Sequence, residues 1–184
     1  NAMIGNISGT YYGGGGVGGL VGRNYGGTIE NCYNAMIGGI STIANVGGLV
    51  GENSSNGEIR NCYNAMIGII DGEISVGGLV GGNYSGGFIT NCYNASVCND
   101  PVSDRCLRSI SGIHAIGGLV GNNNDGNIRN CYNAMIGSIS GYDWVGGLVG
   151  YNYGGTIENC YNAMNGSISG NDDVGGLVGY MDGG

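Results

Sequence analysis

The chain has 184 residues, of which 44 are Gly and one is Pro, and its 13 acidic against 5 basic side chains give a net charge of −8. Such a glycine load excludes a helical protein, because each interior Gly costs a helix about 1 kcal/mol. A single Pro without Gly at every third position excludes collagen, and 41% hydrophobic residues with 13 Tyr argue against disorder. The basic residues are all Arg and there is no Lys, so no basic face is available to track phosphates and no nucleic-acid partner is expected. Apolar runs such as VGGLVG fall far short of the roughly 18 residues of a membrane helix. The chain opens at Asn1 in mid-repeat without a basic leader, and is expected to be a segment of something longer.

Three blocks recur along the chain. The first, A-M-I-G-x-I, covers Ala2–Ile7, Ala35–Ile40, Ala65–Ile70 and Ala134–Ile139, with Asn165 replacing the Ile in Ala163–Ile168. A connection with Tyr11 and Tyr12 then leads to the second, V-G-G-L-V-G, at Val17–Gly22, Val46–Gly51, Val76–Gly81, Ile116–Gly121, Val145–Gly150 and Val174–Gly179. The third, I-x-N-C-Y-N-A, covers Ile29–Ala35, Ile59–Ala65, Ile89–Ala95, Ile128–Ala134 and Ile157–Ala163. The Leu of the second block recurs at intervals of 29, 30, 40, 29 and 29. Three short Val-, Ile- and Tyr-rich segments per period, bounded by Gly, Asn and Ser, read as strands. The expected fold is therefore all-β, a parallel β-helix (β-solenoid) of about six coils of 29–30 residues, one domain over 1–184. The other geometry is two flat coils of about 15 residues per period.

Positions that vary between repeats must face water, and alternation then assigns their neighbours. Glu30, Arg60, Thr90, Arg129 and Glu158 share one varying position, which turns Ile29 and its equivalents inward. Variation after Gly38 places Met36, Gly38 and Ile40 inside, and counting back by two adds Asn34 and Cys32. Ile29 and Cys32 are three apart, so alternation breaks at Asn31, a residue that tolerates the left-handed region. Asn31, Asn61, Asn91, Asn130 and Asn159 are expected to stack as a hydrogen-bonded ladder that sets register. Alternation through V-G-G-L-V-G turns Leu20 inward and Val17 and Val21 outward, an exposed Val/Gly stripe suited to association; a bulge at the Gly pair would instead turn one Val inward.

The cysteines divide into two sets. Cys32, Cys62, Cys92, Cys131 and Cys160 form a column, read as small apolar core residues because the C-x-x-C or His spacing of a metal site is missing. Cys98 and Cys106 lie in an insertion at about 95–115, which also holds Pro101, Arg105, Arg108 and the sole His, His114. A local disulfide closing this loop is the preferred reading, with two free or buried thiols as the other. Insertions in solenoids carry binding functions, so Asp100, Asp104, Arg105 and Arg108 are candidate partner-contacting residues. The acid pairs Asp100/Asp104 and Asp172/Asp173 lack the ligand run of a calcium loop. His114, read as an exposed loop residue, has no nucleophile elbow beside it. The glycine-rich pieces lack G-K-[ST], so they are not phosphate loops. No catalytic residue, metal or cofactor is expected. The sequons at Asn6, Asn53, Asn83, Asn94 and Asn165 are what an Asn- and Ser-rich chain produces by chance.

G-G-L-V-G followed by x-N and then I-x-N-C-Y resembles the GLUG motif, matching Gly19–Gly22 and its five equivalents. The resemblance implies a stalk or passenger repeat of a large secreted or surface bacterial protein, adhesin-like, with any catalytic domain elsewhere. The expectation is a non-enzymatic extracellular structural or adhesive segment of a surface protein or filament, associating with itself or neighbouring repeats and with host or surface glycans. A carbohydrate-active β-helix enzyme is the alternative from another class. An ice-binding solenoid is disfavoured because Thr occurs only at 10, 28, 42, 90 and 156.

Overall fold

The computed structural model describes residues 1–10, 15–95 and 108–183. Among these there is no helix, and every strand pairing between coils is parallel. One repeat makes one coil. Within the second coil the strands are Ile40–Gly47, Val50–Ser54, Glu58–Arg60 and Tyr63–Asn64. Stacking coils turns these strands into four sheets, here numbered 1 to 4, of ten, six, five and five strands. Sheet 1 has the most because its strand is broken in two in several coils, as at Ser109–Ser111 and His114–Gly117.

Register keeps like residues together. Ile29, Ile59, Ile89, Ile128 and Ile157 pair in sequence through sheet 3, as do Ile7, Ile40, Ile70, Ile110, Ile139 and Ile168 through sheet 1. The division into two flat half-coils is thereby corrected: A-M-I-G pairs with A-M-I-G one full period on, Ile4 with Ile37 and Ile37 with Ile67. The third block splits into two strands at Asn31, whose φ is +54°, and at Asn61, Asn91, Asn130 and Asn159, all within a degree of it. The break expected from lost alternation is a left-handed corner.

The exposed Val/Gly stripe is also corrected. Val46, Leu49 and Val50 are all fully buried. The chain bends at Gly48 and Leu49, and strand Val50–Ser54 folds back over the end of Ile40–Gly47 as a β-arch. The two legs meet backbone on backbone: a methyl on Gly47 would lie 1.9 Å from the Val50 carbonyl oxygen, and one on Gly51 would lie 2.3 Å from the Val17 nitrogen of the coil below. Only glycine fits between legs that close. The arch thus separates two cores. Val46 turns into one core with Met36, Ile40, Met66 and Ile70. Leu49 and Val50 turn into the other with Ile59, Cys62, Leu79 and Ile89. Simple alternation fails here because the strand changes direction, and the bend restarts the inside-outside count.

Candidate functional site

The polar side chains that could carry chemistry are arranged in files along the coil axis. Asn34 is buried at the arch; its Nδ2 donates to Gly48 O at 2.7 Å and to Asn64 Oδ1 at 3.2 Å, while its Oδ1 accepts from the Met36 amide. Asn64, Asn94 and Asn133 repeat the pattern. A second buried file begins at Asn24 and runs through Asn53, Asn83, Asn123 and Asn152, each amide donating to the next at 2.7–2.9 Å and also to a glycine carbonyl nearby. Met181 takes the next place in this file. The expected Asn31-type ladder exists at the surface, with links of 3.3 Å joining Asn61, Asn91, Asn130 and Asn159. The sequence reading therefore found the exposed ladder and the inward direction of Asn34, but missed the Asn24 file. The signal was present: Asn stands two residues after each G-L-V-G in the first five coils. Asn53, Asn83 and Asn94 are buried in these files, so three of the five sequons offer no accessible amide.

The cysteine column is also a file. The amides of Cys32, Cys62, Cys92 and Cys131 each donate to the sulfur of the next coil's Cys at 3.4 Å. Each sulfur in turn donates to the carbonyl two residues before it, as Cys62 does to Arg60 O at 3.1 Å. All five thiols are free, and the middle three are buried. Hydrogen bonding along the file, and then burial, pushes the Cys62 and Cys131 thiols up, while the same hydrogen bonds pull Cys92 between them down; what shields the middle three from reagents is their burial. On the outer face Tyr33, Tyr63, Tyr93, Tyr132 and Tyr161 stack with centroids 4.9–5.2 Å apart and planes within 7° of parallel. Beside them the varying position forms ion pairs between coils, Glu30 with Arg60 and Arg129 with Glu158, each at 3.1 Å.

Cys98, Cys106, Asp100, Asp104 and Arg105 lie outside the described residues. Arg108 is buried rather than outward: it is 5% exposed, and its Nη1 donates to Ala95 O at 2.8 Å. Burial lowers its guanidinium from the usual range to about 10. His114 belongs to strand His114–Gly117 rather than to a loop, and its Nδ1 lies 3.0 Å from Asp143 Oδ2 on the next coil. Asp71 and Glu73 sit on strand Ile69–Gly77 and line an open groove of about 510 Å³ with Ser41, Thr42 and Ser111. Ser111 Oγ donates to Asp71. Among the described residues no group of three or more His, Cys, Asp or Glu side chains could hold a metal ion, and no helix is long and apolar enough to cross a membrane.

No curated protein and no solved structure matches the chain. The family model of the GLUG motif matches residues 13–40, 43–69, 112–140 and 145–169. Between the second and third matches, Val76–Gly81 builds the same arch, with Gly77 packed against the Val80 carbonyl as Gly47 is against Val50. The matches together span more than half of the chain, each covers one coil's worth of the stacked files, and the chain belongs to the GLUG-motif family.

Proposed function

We propose that this chain is a non-enzymatic structural segment of a secreted or cell-surface protein: a stiff solenoid that spaces or presents other parts and associates with neighbouring repeats or with further copies of itself. One observation carries this reading. The residue types that usually do chemistry here bind coil to coil: the asparagines satisfy one another and the glycine carbonyls, the thiols accept backbone amides, and the tyrosines stack. Buried polar files of this kind fix register and favour one stacked arrangement over slipped ones. With the valines of the inner coils buried, the arch presents no continuous Val/Gly stripe for association, so contacts with partners fall to the outward columns and to the insertion.

A carbohydrate-active enzyme is the second reading, on the specific ground that Asp71 and Glu73 share one hydroxyl-lined groove. Electron microscopy of the native material, combined with an assay of glycan turnover, separates the two. Rods or fibres with no turnover support the structural reading; dispersed particles that cleave glycans, with cleavage lost in D71N and E73Q, overturn it.

A further inference from the structure

The outward face of sheet 1 carries a hydroxyl file. Ser8, Ser41, Asp71, Ser111, Ser140 and Ser169 pair in order from coil to coil. Two residues further along each strand stands a second outward column, in which the Ile113 amide donates to Glu73 O and the Tyr142 amide to Ile113 O. The groove of about 510 Å³ runs between the two columns, with Ser41, Asp71 and Ser111 on one side and Ile43, Glu73 and Ile113 on the other. Its floor is bare backbone drawn against the core: a methyl on Gly72 would lie 2.6 Å from Val46 Cγ2, and one on Gly112 would lie 2.4 Å from Ile116 Cδ1. Ser140, Gly141 and Tyr142 repeat the pattern one coil on. One wall is therefore hydroxyl and carboxylate and the other chiefly aliphatic, Ile113 being 42% exposed. Ser111 Oγ is committed to Asp71, while neither Asp71 nor Glu73 forms an ion pair among the described residues.

We infer that this groove binds an uncharged, linear glycan of β-linked hexopyranoses laid along the coil axis. The inference rests on the structural reading above, in which outward columns meet partners, and gives that reading a ligand class. Adjacent coils lie about 4.8 Å apart, and an extended β-linked chain advances by close to one coil per sugar, so successive sugars meet equivalent wall residues. A pyranose has a hydroxyl edge and an apolar C–H face. The edge suits serine hydroxyls, which both donate and accept, and the acceptor oxygens of Asp71; the C–H face suits Ile43 and Ile113. A polypeptide fits less well. The groove lies on the face of a sheet whose backbone groups are bonded to the coils on either side, so no ladder is open to a peptide main chain, which adds at sheet edges. An acidic polysaccharide would meet Asp71, Glu73 and a chain of net charge −8.

The test is calorimetric titration of the chain with cellohexaose, maltohexaose and an oligogalacturonate hexamer, with product analysis of each mixture. Cellohexaose should bind saturably and stay intact. Maltohexaose, the same hexose in a coiled α-linked chain, and the acidic hexamer should bind at least tenfold more weakly. I43E/I113E, which gives both positions the residue the column already carries at Glu73, should weaken cellohexaose binding at least tenfold, and S41A/S111A at least fivefold. T90A/T156A, which removes two hydroxyls from sheet 3 instead, should change it less than twofold. Urea unfolding of each variant confirms that the fold is kept. The proposal is overturned if cellohexaose gives no saturable heat, if either other hexamer binds as tightly, or if S41A/S111A and I43E/I113E bind as the parent does. Rods that form but bind no cellohexaose would strike this inference and leave the structural reading standing. Cleavage of cellohexaose would keep the ligand class and overturn the non-enzymatic reading.

Discussion

Replacing Asn83 with Ala removes the centre of the buried Asn24 file. Asn83 is fully buried and makes three hydrogen bonds: from Asn53 Nδ2 at 2.9 Å, to Gly87 O at 3.0 Å and to Asn123 Oδ1 at 2.8 Å. Each bond is worth about 0.5–1.5 kcal/mol net, and each buried partner left without its bond adds roughly 1–3 kcal/mol where water cannot enter. The expected loss is about 4 kcal/mol. With a urea slope of about 2 kcal/mol per M, the unfolding midpoint followed by circular dichroism should fall by about 2 M. The matched control is Asn91→Ala in the exposed ladder, whose bonds to Asn61 and Asn130 are 3.3 Å long and solvent-facing. That change should cost only about 1 kcal/mol, chiefly from the left-handed backbone at φ +54°, and Asn91→Gly should recover most of it. If Asn83→Ala costs no more than Asn91→Ala, the inner file is not a main source of cohesion between coils.

Gly77→Ala should be worse than either, because the new methyl would lie 1.9 Å from the Val80 carbonyl oxygen; loss of cooperative unfolding is expected, and a midpoint within 0.5 M of the parent, about 1 kcal/mol at that slope, would contradict the arch. Arg108→Met should leave stability unchanged or raise it, since a buried guanidinium with one bonded nitrogen gives way to an apolar chain of similar reach; a drop of more than about 2 kcal/mol would show the cation is needed. Mass-spectrometric mapping of alkylation should find Cys62, Cys92 and Cys131 unmodified until urea unfolds the chain. Burial raises the Tyr84 phenol above its ordinary 10.0. The phenol's contribution is therefore complete below pH 10 and lost as pH rises through the folded value. Stability should fall in that window, and Tyr84→Phe, though less stable at neutral pH, should show a shallower fall.

What was legible in the sequence was whatever a fixed period and strict alternation encode. Ile29, Met36 and Ile40 were placed inside by their varying neighbours, and Asn31 was found as a corner because alternation breaks there. What was not legible depended on the chain bending back on itself. Val46 and Val50 are both buried in separate cores because the arch between them reverses the strand, and alternation carries no mark of that reversal. The cluster of rings around Trp144 was hidden for the same reason. Trp144 and Tyr151 are seven residues apart, and nothing in the repeat spacing joins them until the arch brings their rings to 4.8 Å. The Asn24 file was legible and passed over, since its asparagines recur as regularly as those at 31.

The central claim is that equivalent residues of successive coils form single files along one axis. Methyl NOE spectroscopy on isoleucine-labelled protein tests it directly. Ile59, Ile89, Ile128 and Ile157 pair in order, and adjacent strands lie about 4.8 Å apart. The account predicts strong cross-peaks from Ile89 to Ile59 and to Ile128, a further one from Ile128 to Ile157, and none from Ile59 to Ile157, three coils away. Cross-peaks that skip coils, or the absence of any between sequence-equivalent isoleucines, would contradict it.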